Sequence, residues 1–335
     1  MASNYFGKHF RITTWGESHG KAIGVVIDGC PAGIKIDNSI IHKALSLRAP
    51  GQAYTSPRVE PDLPEIYSGV FEGVTTGAPI AIIIFNKDFD SSKYEPIKDL
   101  LRPGHANYTY INKYGLFDYR GGGRASARET AGRVAAAAVA EQILLQENIK
   151  VTAKVDSIAG IKVINDYTTV LKELITKHPE DSFGAVISCT IDNVPLGLGE
   201  PIYEKLEAKL AHAMLSIPAS KGFAIGSGFA SADMLGSNHN DLYNTDMTTK
   251  TNNAGGVLAG ISNGMPIELS VAFKPTSSIK KPQVTVDTSG VASTLKLPDG
   301  SRHDPCVAIR AVPIVAAMAK LVMVDLLLAN KLSRL

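Results

Sequence analysis

Gly69-Val-Phe-Glu-Gly-Val-Thr-Thr-Gly-Ala-Pro-Ile-Ala-Ile-Ile-Ile84 has a counterpart far along the chain, Gly256-Val-Leu-Ala-Gly-Ile-Ser-Asn-Gly-Met-Pro-Ile-Glu-Leu-Ser-Val271. Both read G-V-x-x-G-[VI]-[ST]-x-G-x-P-I before a run of apolar and β-branched residues. Distant self-similarity of this kind is the mark of a repeated supersecondary unit. Each copy predicts a helical or turn segment, a Gly-x-Pro turn and a strand. Neighbouring segments repeat in the same order. Val25–Gly33 precedes a helical pattern at Ile40–Leu47, and Val186–Gly197 precedes one at Ile202–Leu215. Each half then closes on a long apolar helix, from about Ala127 to Leu145 and from about Pro305 to Leu328. The plan is strand, helix, strand, helix, used twice, over about 10–150 and 151–335.

The strands alternate apolar and polar residues, which suits antiparallel sheets with one solvated face. The expected class is α+β: a β-α-β sandwich of two related halves, with the long central helices packed between the sheets. No Gly/Ser-rich linker divides the 335 residues, so one compact unit is expected. The polar stretches 86–99 and 274–301 read as long loops.

Thirty-four Lys and Arg stand against 32 Asp and Glu, a net charge of +2. That balance excludes a protein that grips nucleic acid with its whole surface. Cys30, Cys189 and Cys306 are far apart and form no C-x-x-C pair, as expected of reduced thiols in a cytoplasm. The start, Met-Ala-Ser-Asn-Tyr-Phe-Gly-Lys-His, has no apolar leader. Runs such as Val134–Val139 and Leu321–Leu328 are short for a bilayer, so neither a membrane nor a nucleic-acid partner is expected.

Charge is locally uneven. Five arginines and one lysine face two acids between Arg102 and Arg133. Within this stretch, Ser126-Ala-Arg-Glu129 reads as a capping box behind Gly121–Gly123. A glycine-rich approach to a helix N-terminus presents free N–H groups and a positive dipole end, a site for anions. A capped helix with solvated arginines explains the same letters. In the second half, Asp304-Pro305 reads as N-cap and first helical residue. Arg124 and Arg302 each stand two residues before these caps. Two such helix ends at one cleft would hold a polyanion or two anionic ligands; simple capping accounts for Asp304 equally well.

His105 follows Pro-Gly and sits on a turn; His19 lies between glycines in Gly16-Glu-Ser-His-Gly20. His105 can serve as an acid near arginines and a phosphate, or be an ordinary surface residue; at His19 the backbone can approach a ligand closely, or the segment is an ordinary tight turn. The Gly16–Gly20 stretch also fits G-x-S-x-G, but a nucleophile elbow needs a helix after the serine. Lys21–Asp28 reads as another strand, which argues against Ser18 as a nucleophile. No Walker loop, dinucleotide fingerprint or zinc signature is present.

Taken together, G-E-S-H-G at 16–20, R-P-G-H at 102–105, G-G-G-R-A-S-A-R-E-T at 121–130, K-P-T-S-S at 274–278 and G-S-R-H-D-P-C-V at 300–307 resemble the chorismate synthases from end to end. The resemblance implies that family's fold and a lyase dependent on reduced FMN. Its reaction is the 1,4-anti elimination of phosphate from 5-enolpyruvylshikimate 3-phosphate, with no net redox change. It implies catalytic roles for His19, His105 and Asp304, with substrate held by Arg48, Arg102 and Arg128. FMN contacts would come from Arg124, Ala125, Ser126, Asn238, Ala259, Lys274, Pro275, Thr276, Ser277, Ser278 and Arg302. A homotetramer supplied by an external flavin reductant is implied as well. Two features depart from the family pattern. Asn107 stands where Asp is usual, and Arg48–Arg58 looks shortened and lacks a common arginine, with Tyr54 or Arg58 near its position.

Overall fold

A computed structural model describes residues 3–56, 60–301 and 303–333. Two five-stranded antiparallel sheets enclose the long helices. The first sheet runs, in spatial order, Tyr5–Phe6, Arg11–Gly16, Ala22–Asp28, Ile80–Phe85, Pro64–Ile66. The second runs Ile161–Lys162, Lys150–Ile158, Ala185–Asp192, Ile267–Phe273, Ser220–Ile225. Their central strands correspond: Ala22–Asp28 lies beside Ile80–Phe85 as Ala185–Asp192 lies beside Ile267–Phe273.

Burial alternates along these strands, as in Ile187, Cys189 and Ile191, so each sheet turns one apolar face inward. The first long helix, Thr130–Gln146, packs on the first sheet. The second, Ala308–Asn330, packs on the second sheet, and the two helices pack on each other. Both helices carry many buried alanines (Ala135–Ala138, Ala311, Ala317, Ala319), whose small side chains suit close packing in the interior. The second helix is long and apolar enough to cross a membrane, yet 72% of its most apolar window is buried inside the fold. Its hydropathy is that of a core.

The repeated glycine stretches differ from the expected helical or turn segment. Each forms a minimal hairpin, Val70–Phe71 with Val74–Thr75 and Val257–Leu258 with Ile261–Ser262. Glu72 and Gly73 both have positive φ (48° and 77°), as do Ala259 and Gly260 (53° and 92°), as two-residue turns between twisted strands require. The two expected loops are also partly ordered: Ser91–Ile97 is a 3₁₀ helix, and Gln283–Val286 pairs with Ala292–Leu295.

Both helix starts depart from the sequence reading. Ser126 Oγ accepts from the Arg128 N–H at 3.3 Å, but Glu129 turns to Arg133 at 2.7 Å instead of reaching back. A 3₁₀ turn, Ala127–Glu129, therefore precedes the α-helix. Asp304 does not cap the second long helix, whose N-cap is Val307. The Asp304 carboxylate is engaged elsewhere, with the Ser56 N–H at 2.6 Å and Arg310 at 3.2 Å.

Candidate active site

Strands Arg11–Gly16 and Ala22–Asp28 form a hairpin, and its connection carries Ser18 and His19. The hairpin confirms that a strand, not a helix, follows Ser18. Ser18 Oγ donates to the Gly121 carbonyl at 3.1 Å. His19 is buried; its Nδ1 lies 2.9 Å from Ser91 Oγ, and its ring meets Phe89 and Tyr94 at 5.4 Å each. Gly121 fits against that ring in a left-handed conformation, φ +71°. A Cβ there would lie 2.3 Å from His19 Cδ2, too close for any side chain. The next residue, Gly122, faces His105, so the glycine loop runs between both histidines.

His105 closes a turn in which its N–H donates to the Arg102 carbonyl at 3.1 Å. Asn107 holds this turn from below: its Nδ2 donates to the Leu100 carbonyl at 2.9 Å and its Oδ1 accepts from the Arg102 N–H at 3.3 Å. A carboxylate could do only the second. The Lys274–Ser278 loop docks on the other side. Lys274 Nζ donates to the Gly104 carbonyl at 2.8 Å, and Arg102 donates to Ser278 Oγ. Thr276 Oγ1 donates to the backbone carbonyl of Asp304 at 3.0 Å.

These pieces surround a cleft of about 410 Å³. Its walls include His19, Arg102, His105, Ala125, Ser126, all of Lys274–Ser278 and Asp304. Among the described residues, three side chains bring positive charge, Arg102, Lys274 and Arg310, against the one carboxylate of Asp304. His105 Nδ1 is buried without a hydrogen-bond partner. Burial, then the nearby Arg102, Lys274 and His303, push its imidazole down to about 3, so it is neutral near pH 7. Burial also lowers Arg102 and Lys274, which remain cations.

Other expected site residues lie elsewhere. Arg48 is buried beneath the cleft, donating to Thr130 Oγ1, Asp62 Oδ2 and the Ala127 carbonyl. Arg128 binds Asn86 and the same Asp62 carboxylate. Arg124 donates to the Thr14 and Gly16 carbonyls and to Thr14 Oγ1. Arg120 pairs with Asp118. Most of the basic stretch seen in the sequence is thus committed to the protein itself, and Arg102 alone among these arginines lines the cleft. Asn238 is exposed on a short helical turn, and Ala259 sits at a hairpin tip; neither lines the cleft. Tyr54 also stays outside it, and Arg58 and Arg302 fall outside the described residues.

The sequence reading missed Tyr94, Pro218, Ala219, His303 and Arg310, which also line the cleft. Only Arg310 carried a local signal, as a cation in the first turn of a strongly apolar helix.

A family model described as chorismate synthase matches residues 10–328. The chorismate synthase of Protochlamydia amoebophila is 52% identical over 366 aligned positions that cover 100% of both chains. That of Christiangramia forsetii is 48% identical, again over 100% of each. The enzyme of Synechocystis is 49% identical over 97% of each. A solved crystal structure of a chorismate synthase superimposes with a TM-score of 0.75 at 29% identity, covering 97% of this chain and 93% of that one. By sequence along nearly its whole length, and by fold, the chain belongs to the chorismate synthase family.

Proposed function

We propose that the cleft holds reduced FMN and 5-enolpyruvylshikimate 3-phosphate together and that the chain releases phosphate from the latter by 1,4-anti elimination. Membership of the family makes the chain a lyase of the last step of the shikimate pathway. The observation that carries the finer reading is His105: a buried, unpartnered imidazole nitrogen in a cleft shared with Arg102 and Lys274. An unpaired buried polar atom costs free energy unless a ligand satisfies it.

The residues fit two anionic ligands. With Arg310 paired to Asp304, Arg102 and Lys274 leave the described lining of the cleft net positive. Reduced FMN, when bound, supplies transient electron density to the allylic system that loses phosphate. The chain's own part is to bind, orient and manage protons. Arg102 holds the leaving phosphate by charge-assisted hydrogen bonds, and Lys274 offers its charge to FMN. A phosphate beside His105 raises its affinity for a proton, which it can then give to the leaving oxygen. Asp304, an acceptor held by the Ser56 N–H and Arg310, assists removal of the C6 proton. His19, steadied by Ser91, would tune the protonation of a bound flavin. Ser126 and Thr276–Ser278 offer hydroxyls and N–H groups to FMN.

Arg48 and Arg128 act in this reading by shaping the floor of the cleft, since Asp62 occupies both. The flavin comes reduced from another source, and the working form is a cytoplasmic homotetramer; both rest on the family likeness. Anaerobic incubation with chemically reduced FMN and the substrate tests the proposal. Chorismate and phosphate in equal amounts are expected, and no chorismate overturns it. A fluorophosphonate probe should leave Ser18 unlabelled.

A further inference from the structure

Arg310 occupies an electrostatically costly position. It lies in the first turn of Ala308–Asn330, where the helix dipole disfavours a cation. It is also near Arg48, whose guanidinium is pushed down by burial and then by Arg310 itself. Neither feature favours folding. The side chain is nevertheless fixed at two points. Its Nε donates to the Arg48 carbonyl at 3.1 Å, and its Nη1 lies 3.2 Å from Asp304 Oδ2. Both partners are largely shielded, with 20% of the arginine and 13% of the aspartate side chain exposed. The second Asp304 oxygen takes the Ser56 N–H, while Thr276 fixes the Asp304 main chain.

We propose that Arg310 is a positioning residue that sets the orientation of the Asp304 carboxylate toward the cleft. The arrangement is a clamp. One carboxylate oxygen is tied to the 48–56 segment directly, and the other is tied to it through Arg310 and the Arg48 carbonyl. The 48–56 segment thereby gains a defined task, since it supplies both anchors of a carboxylate that shares the cleft with His105. This proposal rests on the role given above to Asp304.

Arg310→Met, Arg310→Lys and Asp304→Asn, with the Met and Asn changes also combined, test it. Arg310→Met should lower kcat by about 30-fold while KM for the substrate stays within about threefold, because orientation and not binding is lost. Arg310→Lys, which keeps the charge but not the fork, should fall between that variant and wild type. In the Asp304→Asn background, Arg310→Met should cost no more than about twofold. Unchanged kcat, a loss confined to KM, or full additivity in the double variant would overturn the proposal. Should Arg310→Met fail to fold, Arg310→Lys decides alone, with wild-type kcat as the overturning result. A second measurement needs no turnover. The ¹³Cγ resonance of Asp304, identified by its loss in Asp304→Asn, should move in ligand-free Arg310→Met and return part-way in Arg310→Lys. An unmoved resonance sinks the clamp even if the protein makes no chorismate, whereas inactivity of the wild type sinks only the functional reading.

Discussion

His105 is neutral in the free cleft, so its acid role depends on the ligand. Its proton affinity is held down to about 3 by burial and neighbouring cations. An arriving phosphate opposes both effects. Binding of inorganic phosphate at about pH 6 should therefore take up more protons, or release fewer, in the wild type than in His105→Asn. Calorimetry in two buffers of different ionisation enthalpy measures this difference, in which the ionisation of the phosphate itself cancels. Stability follows the same sign. The unfolded imidazole titrates near roughly 6.5. Between that value and about 3 the unfolded chain binds the extra proton, so stability falls as pH falls through this window. His105→Asn should flatten that part of the pH–stability curve. In turnover, His105→Ala should lose most activity while reduced flavin still binds; unchanged turnover would remove His105 from the mechanism. The histidines were legible because they stand in glycine turns. The fate of the arginines was not: composition counts charges, while only the fold shows that Asp62 holds two of them.

At the scale of elements, the glycine loop separates conformational cost from steric cost. Gly115 and Gly121 have nearly the same left-handed φ, 73° and 71°, but a Cβ on Gly115 meets nothing within 4 Å. Gly115→Ala should lose about 1 kcal/mol of stability and keep its activity. Gly121→Ala should displace His19 or Ser18 and lower turnover at least about tenfold; kinetics and urea melts on the pair check the contrast. Periodicity revealed the strands and long helices, because those are repeating patterns of burial. It missed the two repeat hairpins, whose signal is the single pairs Glu72-Gly73 and Ala259-Gly260. It misplaced the start of the second long helix because an Asp-Pro pair announces a cap only when the carboxylate has no better partner. Here Ser56 and Arg310 supply that partner, and nothing local in the sequence says so.

Across the whole molecule, we propose that one unit arose from two related halves, since three strands of each sheet follow the same order and each half carries a like hairpin. Their shared interior is a single apolar cluster that takes side chains from both sheets and both long helices. Within it sits Asp325, only 3% exposed, whose Oδ1 accepts the N–H groups of Lys8, His9 and Phe10. Asp325→Ala would leave three donors without their acceptor, and should cost about 3 kcal/mol or more by urea unfolding. No periodic pattern foretells this tie; a lone acid in an apolar helix only marks where to look. Its topological reach has a consequence for biosynthesis. The bonded groups are 315 to 317 positions apart. A nascent chain cannot cover the inner face of its second sheet until its second long helix leaves the ribosome. Long-range closure of this kind makes acquisition of the native state slow, and leaves the half-made polypeptide as the species that most needs a chaperone.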